Sequence, residues 1–234
     1  MAAVATDAVN TAYHGIVRRA EVKKEETVFL FGLGGLGFNA LQVVRYIGAR
    51  VIVSDLRSEK LELAVQKGVP REDVVSVGKG IPEFVMDNGL QGKIDTVLDF
   101  VGSHQTFHDA QHIGESSFFF FILTLIHIHL CILRVEVKWT GMSLTISTVR
   151  PGGKILCVGT HHRQNEVDMK IGIRKRLSII FTYGGLPEDL AVVLDLIAKG
   201  KIQPRVETKT LPEMPTVLKD LCAGKIQDRV ALVS

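Results

Sequence analysis

The chain has 234 residues, with 28 lysines and arginines against 25 aspartates and glutamates and a formal net charge of +3. That length suffices for one large or two small domains with a sizeable core, and the charges are spread without a basic stripe, which argues against a nucleic-acid partner. Cys131, Cys157 and Cys222 are far apart and lack CxxC spacing, so neither a zinc knuckle nor a disulfide framework is expected.

Residues 1–25 open with an Ala- and Val-rich helical pattern. Within it Asp7 suits a helix N-cap before Ala8, and His14 on a short apolar helix suits a satisfied packing residue. The N-terminus has no basic stretch followed by a long apolar run, so a reducing, cytoplasmic setting is the default expectation. In that setting Cys157 and Cys222 are expected as small buried apolar residues.

From Glu26 to Leu56 the pattern becomes specific. Thr27 to Phe31 is a β-branched and aromatic run that predicts a buried strand, and it leads directly into Gly32-Leu33-Gly34-Gly35-Leu36-Gly37. Beyond the glycines Ala40, Leu41, Val43, Val44 and Ile47 recur at helical spacing, Gly48 stops the helix, and Val51 to Ser54 form a second strand ending at Asp55. Each part of this β-α-β unit has a chemical reason. Gly32 permits the tight turn, Gly34 the approach of a pyrophosphate, and Gly37 the close packing of helix on strand, while the free N–H groups of the helix N-terminus face the phosphates. Asp55, 18 residues after Gly37, can accept both hydroxyls of an adenosine ribose. The unit therefore predicts a nicotinamide dinucleotide site, with NAD preferred over NADP because a 2′-phosphate would face the like charge of Asp55. Arg57 is the residue that would favour the phosphate.

Strand and helix then alternate. Glu59 to Gln66 is expected as a helix, Val74 to Val77 as a short strand, Glu83 to Asn88 as a helix, Asp95 to Val101 as a strand ending at Gly102-Ser103, and Gln105 to Ile113 as a helix. Pro151-Gly152-Gly153 is expected as a turn before the strand Lys154 to Val158, which ends at Gly159-Thr160. Ser178 to Tyr183 is a further strand, Pro187 to Lys199 an amphipathic helix stopped by Gly200, Val206 to Thr208 a short strand, Met214 to Cys222 a helix, and Arg229 to Val233 a final strand. This order argues for an α/β fold with a doubly wound parallel (Rossmann) sheet in a single domain over 26–234, led by the helical segment 1–25. His161 and His162, just past a strand end, suit a solvated loop.

The motifs FGLGGLG, VSDL, DFVGS, RPGGKILCVG, AKGKIQPRV and GKIQDRVAL, with the ATDAVNTAYHGI opening, resemble the zinc-type medium-chain alcohol dehydrogenases over nearly the whole chain outside 114–148. The resemblance implies that Gly32, Gly34, Gly35, Leu36 and Gly37 form the pyrophosphate loop, Asp55 is the ribose acid, Arg229 pairs with the pyrophosphate, and Thr11 packs beside the nicotinamide. It places Asp7 where the family has its last catalytic zinc ligand. It also implies hydride transfer between an alcohol and the nicotinamide, and a homodimer through the cofactor domain over Glu166 to Tyr183. The family's other zinc ligands belong to a Cys-Gly-Ser/Thr-Asp stretch and a Gly-His-Glu stretch, neither of which occurs here. A catalytic zinc needs three protein ligands, so zinc is expected only in a full-length relative. The chain is then expected to hold NAD without oxidising alcohols; the alternative is a non-catalytic NAD-binding regulatory module.

The segment Gly114 to Thr148 is foreign to this pattern. It holds the chain's only tryptophan, Trp139, and the apolar run Phe118 to Leu133, in which His127 and His129 alternate without a third metal ligand. At about 1.5 Å per residue that run falls short of the roughly 30 Å bilayer core, so a membrane tether is the most remote reading. Removing the segment joins Ile113 to Val149 and gives QTFHDAQHIVRPGGKILCVG, a helix leading through a turn into a strand. Degenerate codons at its ends permit splice signals, so it is expected to be translated intron, set against a poorly packed surface insertion.

Overall fold

A computed structural model describes residues 2–112 and 149–233. The expectations that fall on 114–148, including the apolar run, Cys131, His127, His129 and Trp139, lie outside the described residues.

Five parallel strands form the main sheet: β1 (Thr27–Phe31), β2 (Arg50–Ser54), β3 (Ile94–Asp99), β4 (Val149–Cys157) and β5 (Ser178–Phe181), in the order β2-β1-β3-β4-β5. Successive side chains of a strand point to opposite faces, and both faces here are apolar and covered, as parallel sheets require. Val28 and Leu30 of β1, Leu98 of β3 and Leu156 of β4 join one core cluster. Phe29 and Phe31, Val97 and Ile155 join the other. The first face is covered by α1, a helix over residues 2–19, by α2 (Gly37–Ile47), and by α3 (Ser58–Gln66). The second is covered by α4 (Ile81–Asp87) and α5 (His104–His112). The helix α6 (Met169–Lys175) packs on β4, and α7 (Pro187–Ala198) joins α1 on the first face.

Helix α1 is α-helical over Ala2–Val4 and Asn10–Tyr13 and π-helical over Ala5–Val9 and His14–Arg19. Its apolar residues Val4, Ala5, Ala8, Val9, Ala12 and Ile16 are buried in the same cluster as β1. The carboxylate of Asp189, fully buried near the start of α7, accepts from His14 Nδ1 at 2.7 Å and from Arg18 Nε at 2.9 Å. His14 is thus a partnered packing residue, as expected.

Three expectations are corrected. Val74 to Val77 is not a strand: Val74 makes a single bridge to Val53, and the chain then turns, with the Lys79 N–H donating to the Ser76 carbonyl at 3.0 Å. Pro151-Gly152-Gly153 is not a turn ahead of β4 but an irregularity inside it. The register passes from Ile94↔Val149 to Thr96↔Lys154, so four residues of β4 oppose Asp95 alone, and Gly152 takes up the excess at a φ of 76°. Finally, β6 (Val206–Thr210) and β7 (Arg229–Val233) pair in a separate two-stranded parallel sheet, beside α8 (Met214–Cys222). β6, with sequence VETKT, buries none of its residues and is too polar for a sheet covered on both faces.

Both described ends that flank 113–148 are anchored. The Gln111 side chain donates to the Glu166 carbonyl at 3.0 Å and accepts from the Asp168 N–H at 2.9 Å, while buried Val149 pairs with Ile94. A variant that joins Ile113 to Val149 is expected to keep a single cooperative thermal transition by circular dichroism; loss of cooperativity would show that 114–148 is needed for folding. A second expectation concerns acid. Burial raises the pKa of Asp189, but the hydrogen bonds from His14, Arg18 and the Leu186 N–H outweigh it and hold the carboxyl below its ordinary 3.8. A group with a depressed folded pKa stabilises above its unfolded pKa, and that contribution is lost as pH falls through the folded value. Asp189→Asn should cost about 1.5–3 kcal/mol at neutral pH. It should also flatten the loss of stability below about pH 4, read from urea midpoints; an unchanged acid limb would remove Asp189 from that role.

Candidate functional site

The carboxyl ends of β1 and β3 flank the point where the winding of the sheet reverses, the place where open α/β sheets bind ligands. At the end of β1 the chain passes through Gly32, whose φ of 84° suits a residue without a side chain, and enters α2 at Gly37. A Cβ at Gly37 would overlap the Gly32 carbonyl oxygen, so helix and strand end are in direct backbone contact. Leu36 is the N-cap residue of α2, and its carbonyl accepts from the Ala40 N–H at 3.0 Å. Around Gly34 the space is open: among the described residues no atom beyond its own and its chain neighbours' lies within 4 Å of the place a Cβ would take.

Asp55 follows β2 with its side chain only 7% exposed. One oxygen accepts from the Leu33 N–H at 2.7 Å and thereby ties the glycine loop to the neighbouring strand end. The other accepts from the Arg57 N–H at 3.0 Å and Nε at 3.3 Å. A carboxylate has about four lone-pair sites, so it retains limited capacity for a sugar hydroxyl, and Arg57 lies directly beside it.

The structure brings Arg229 and Asp7 together at the glycine loop. Arg229, first in β7, lies across Gly35, where a Cβ would meet its Nε at 2.8 Å and its Cδ at 3.1 Å. Its Nη2 pairs with Asp7 Oδ2 at 3.2 Å, while its buried Nε has no hydrogen-bond partner among the described residues. A buried unsatisfied donor beside an open glycine loop is a cradle for an anionic group. Asp7 is therefore no N-cap: it lies in the interior of α1, exposed, and engages Arg229. Thr11, one turn further along α1, is buried, and no hydrogen bond joins it to the glycine loop among the described residues.

A catalytic zinc does not fit these residues. Among the described residues no group of three His, Cys, Asp or Glu side chains can hold a metal ion, and Asp7 is already paired with a guanidinium. His161 and His162 are exposed, as expected, although His162 stacks on His104 with centroids 4.1 Å apart and its Nδ1 accepts from the His104 N–H at 3.2 Å. Desolvation, then the neighbouring His104 and His161, lower the pKa of His162. Cys157 is half-buried, and burial beside Asp99 pushes its thiol up to about 12, which leaves it unreactive. Cys222 is exposed rather than buried, because α8 buries none of its residues.

Sequence reasoning passed over Asp99, Lys60 and Asp228. Asp99 ends β3 almost wholly buried, and its carboxylate accepts from the Val101 N–H at 3.0 Å, the Gly102 N–H at 2.8 Å and Thr106 Oγ1 at 3.1 Å. Burial raises its pKa, and those hydrogen bonds oppose the rise. Its signal was available: an Asp three residues before a Gly at a strand end is the pattern of a side-chain-closed turn. Lys60 and Asp228 gave no signal, since each sits in a run of ordinary helix or loop residues.

A glycine turn between a parallel strand and a helix at this switch point defines the class: a Rossmann-type dinucleotide-binding α/β domain. No family model matches the sequence. An alcohol dehydrogenase of Geobacillus stearothermophilus is 26% identical over 208 residues, covering 88% of this chain and 50% of that relative. Among solved structures, acetophenone reductase from Geotrichum candidum in complex with NAD superposes with a TM-score of 0.72 at 26% identity, covering 99% of this chain and 55% of the other. The alcohol dehydrogenase of the archaeon Aeropyrum pernix shares the fold with a TM-score of 0.72 at 24% identity, covering 99% of this chain and 57% of the other. In sequence the chain is similar to alcohol dehydrogenases, and in fold it is similar to the part of such enzymes that forms a parallel α/β Rossmann-type domain. It spans about half the length of the curated relatives it matches.

The contact between Gly37 and Gly32 yields a direct test. Gly37→Ala must push α2 off the end of β1, and overpacking of this kind costs about 1–3 kcal/mol. The expected result is a lower urea midpoint with an unchanged slope; parental stability would mean that the loop relaxes freely.

Proposed function

We propose that the chain is the NAD(H)-binding domain of a zinc-dependent alcohol dehydrogenase-like oxidoreductase, and that by itself it holds the cofactor without turning over alcohol. The observation that carries this reading is the buried, unpartnered Nε of Arg229 lying over Gly35 beside the open space at Gly34. In this reading Gly32, Gly34, Gly35, Leu36 and Gly37 surround the pyrophosphate, the N-terminus of α2 and Arg229 meet its charge, Asp55 takes the adenosine ribose, and Thr11 lies on the nicotinamide side. When bound, the nicotinamide supplies hydride transfer at its C4. The chain's own residues bind and orient it, and among the described residues there is no metal-ligand set for polarising an alcohol oxygen.

Two further features belong to this proposal. Cytoplasmic residence is supported by the absence, among the described residues, of any helix long and apolar enough to cross a membrane. Pairing of two copies over 166–183 is supported by β5, an edge strand with Phe181 69% and Tyr183 99% exposed. A second reading, a non-catalytic NAD-binding module, is favoured by the engagement of Asp7 with Arg229 in place of a metal.

Calorimetric titration tests the assignment. NAD is expected to bind more tightly than NADP, and Asp55→Asn should weaken NAD about tenfold or more, the scale of a hydrogen bond to a charged group. NADP binding tighter than NAD would overturn the role of Asp55. The same preparation, mixed with NAD and ethanol or a longer primary alcohol, should form no NADH by absorbance at any alcohol concentration; sustained turnover would overturn the non-catalytic part of the reading.

A further inference from the structure

Lys60 is a cation in an unusual place. It belongs to α3, yet its side chain is only 3% exposed, and a buried ammonium is costly unless it is paired and hydrogen-bonded. Its Nζ donates to the Gln227 carbonyl at 3.1 Å and to Asp228 Oδ1 at 2.7 Å. The other oxygen of Asp228 pairs with Arg205 Nε at 3.0 Å. Arg205 and Asp228 stand immediately before β6 and β7, and because Val206 pairs with Arg229 the two side chains meet across the start of the small sheet. One carboxylate is thus gripped from two sides, by the helix that follows Asp55 and by the neighbouring strand. The next residue after it is Arg229, which crosses Gly35.

We propose that Asp228, clamped by Lys60 and Arg205, is a positioning residue that sets Arg229 over the glycine loop for a dinucleotide's phosphates. This rests on the reading of the glycine loop as an NAD site. Asp228 does not itself touch the phosphates. Two cations face its single negative charge, so that charge is compensated within the cluster and its repulsion of a nearby phosphate is small. What remains is geometry: the buried ion pair fixes the backbone at Gln227 and Asp228, and with it the point from which the Arg229 side chain departs. Without the clamp the ion pair that remains at this point is that of Arg229 with Asp7 of α1, whose side chain is 65% exposed, and exposed pairs are weak.

The test is NAD binding by the full chain in a double-mutant cycle. Asp228→Asn keeps the shape and removes the charge, and it is expected to weaken NAD about tenfold, the scale of one charge-assisted hydrogen bond. In an Arg229→Gln background the same change should cost nothing further, and Asp228→Glu should restore part of the loss. Parental or tighter affinity of Asp228→Asn, or an equal loss in the Arg229→Gln background, overturns the inference, since a merely structural role would act with or without Arg229. If Asp228→Asn does not fold, Arg205→Gln removes the exposed half of the clamp and should weaken NAD about two- to fivefold; parental affinity there overturns the inference equally. Failure of the unmodified chain to bind NAD overturns the proposed function and this inference with it, whereas binding by the unmodified chain that Asp228→Asn leaves unchanged overturns this inference alone.

Discussion

The backbone contact between Gly32 and Gly37 is the constraint on which the rest of the site depends. Helix α2 begins so close to the end of β1 that no side chain fits between them. The first helical turn therefore starts at the end of the strand, with the Phe38, Asn39 and Ala40 N–H groups donating to the Gly34 and Leu36 carbonyls. The neighbouring strand end then has to serve this loop as well: Asp55 accepts from the Leu33 N–H and holds the loop in place from β2. Asp99 closes its own turn at the end of β3 in the same manner. Two buried carboxylates, spent on backbone N–H groups, shape both walls of the cleft.

The positive charge at the cleft comes from elsewhere in the chain. Arg229 is supplied by a small sheet that shares no ladder with the main one, and ion pairs join that sheet to α3 through Lys60 and to α1 through Asp7. The division is physically reasonable. The main sheet is stabilised by two apolar faces, whereas no residue of β6 or β7 is fully buried. Specific charge pairs contribute where burial is lacking.

Much of this was legible in the amino-acid order. The run of β-branched residues, the glycines and the acid at Asp55 lie within one local unit, and local patterns report local structure well. The strands β1 to β5 and the helices between them, apart from α6, follow from periodicities of two and of about 3.6. Two failures have a common cause in tertiary context. Val74 to Val77 has the composition of a strand, yet the sheet takes only Val74 before the turn at Ser76. Pro151-Gly152-Gly153 has the composition of a turn, yet pairing on both sides draws it into β4. The role of Asp7 was hidden because its partner is more than 200 positions away, and nothing local distinguishes a helix cap from an ion pair. Lys60 and Asp228 were invisible for the same reason, their meeting being a property of the assembled chain.

The grip of Asp189 on His14 and Arg18 has a consequence for how the chain acquires its shape. Residues 14 and 189 are 175 positions apart, so the contact closes one of the longest loops the chain contains. During synthesis at about 5–20 residues per second, the first helix emerges roughly 10–35 s before its anchor. Through that interval Val4, Val9 and Ile16 have no α7 to cover them, and a nascent chain with such a face is a natural client for a holding chaperone. The later-made α7 thus decides when the earlier-made α1 comes to rest.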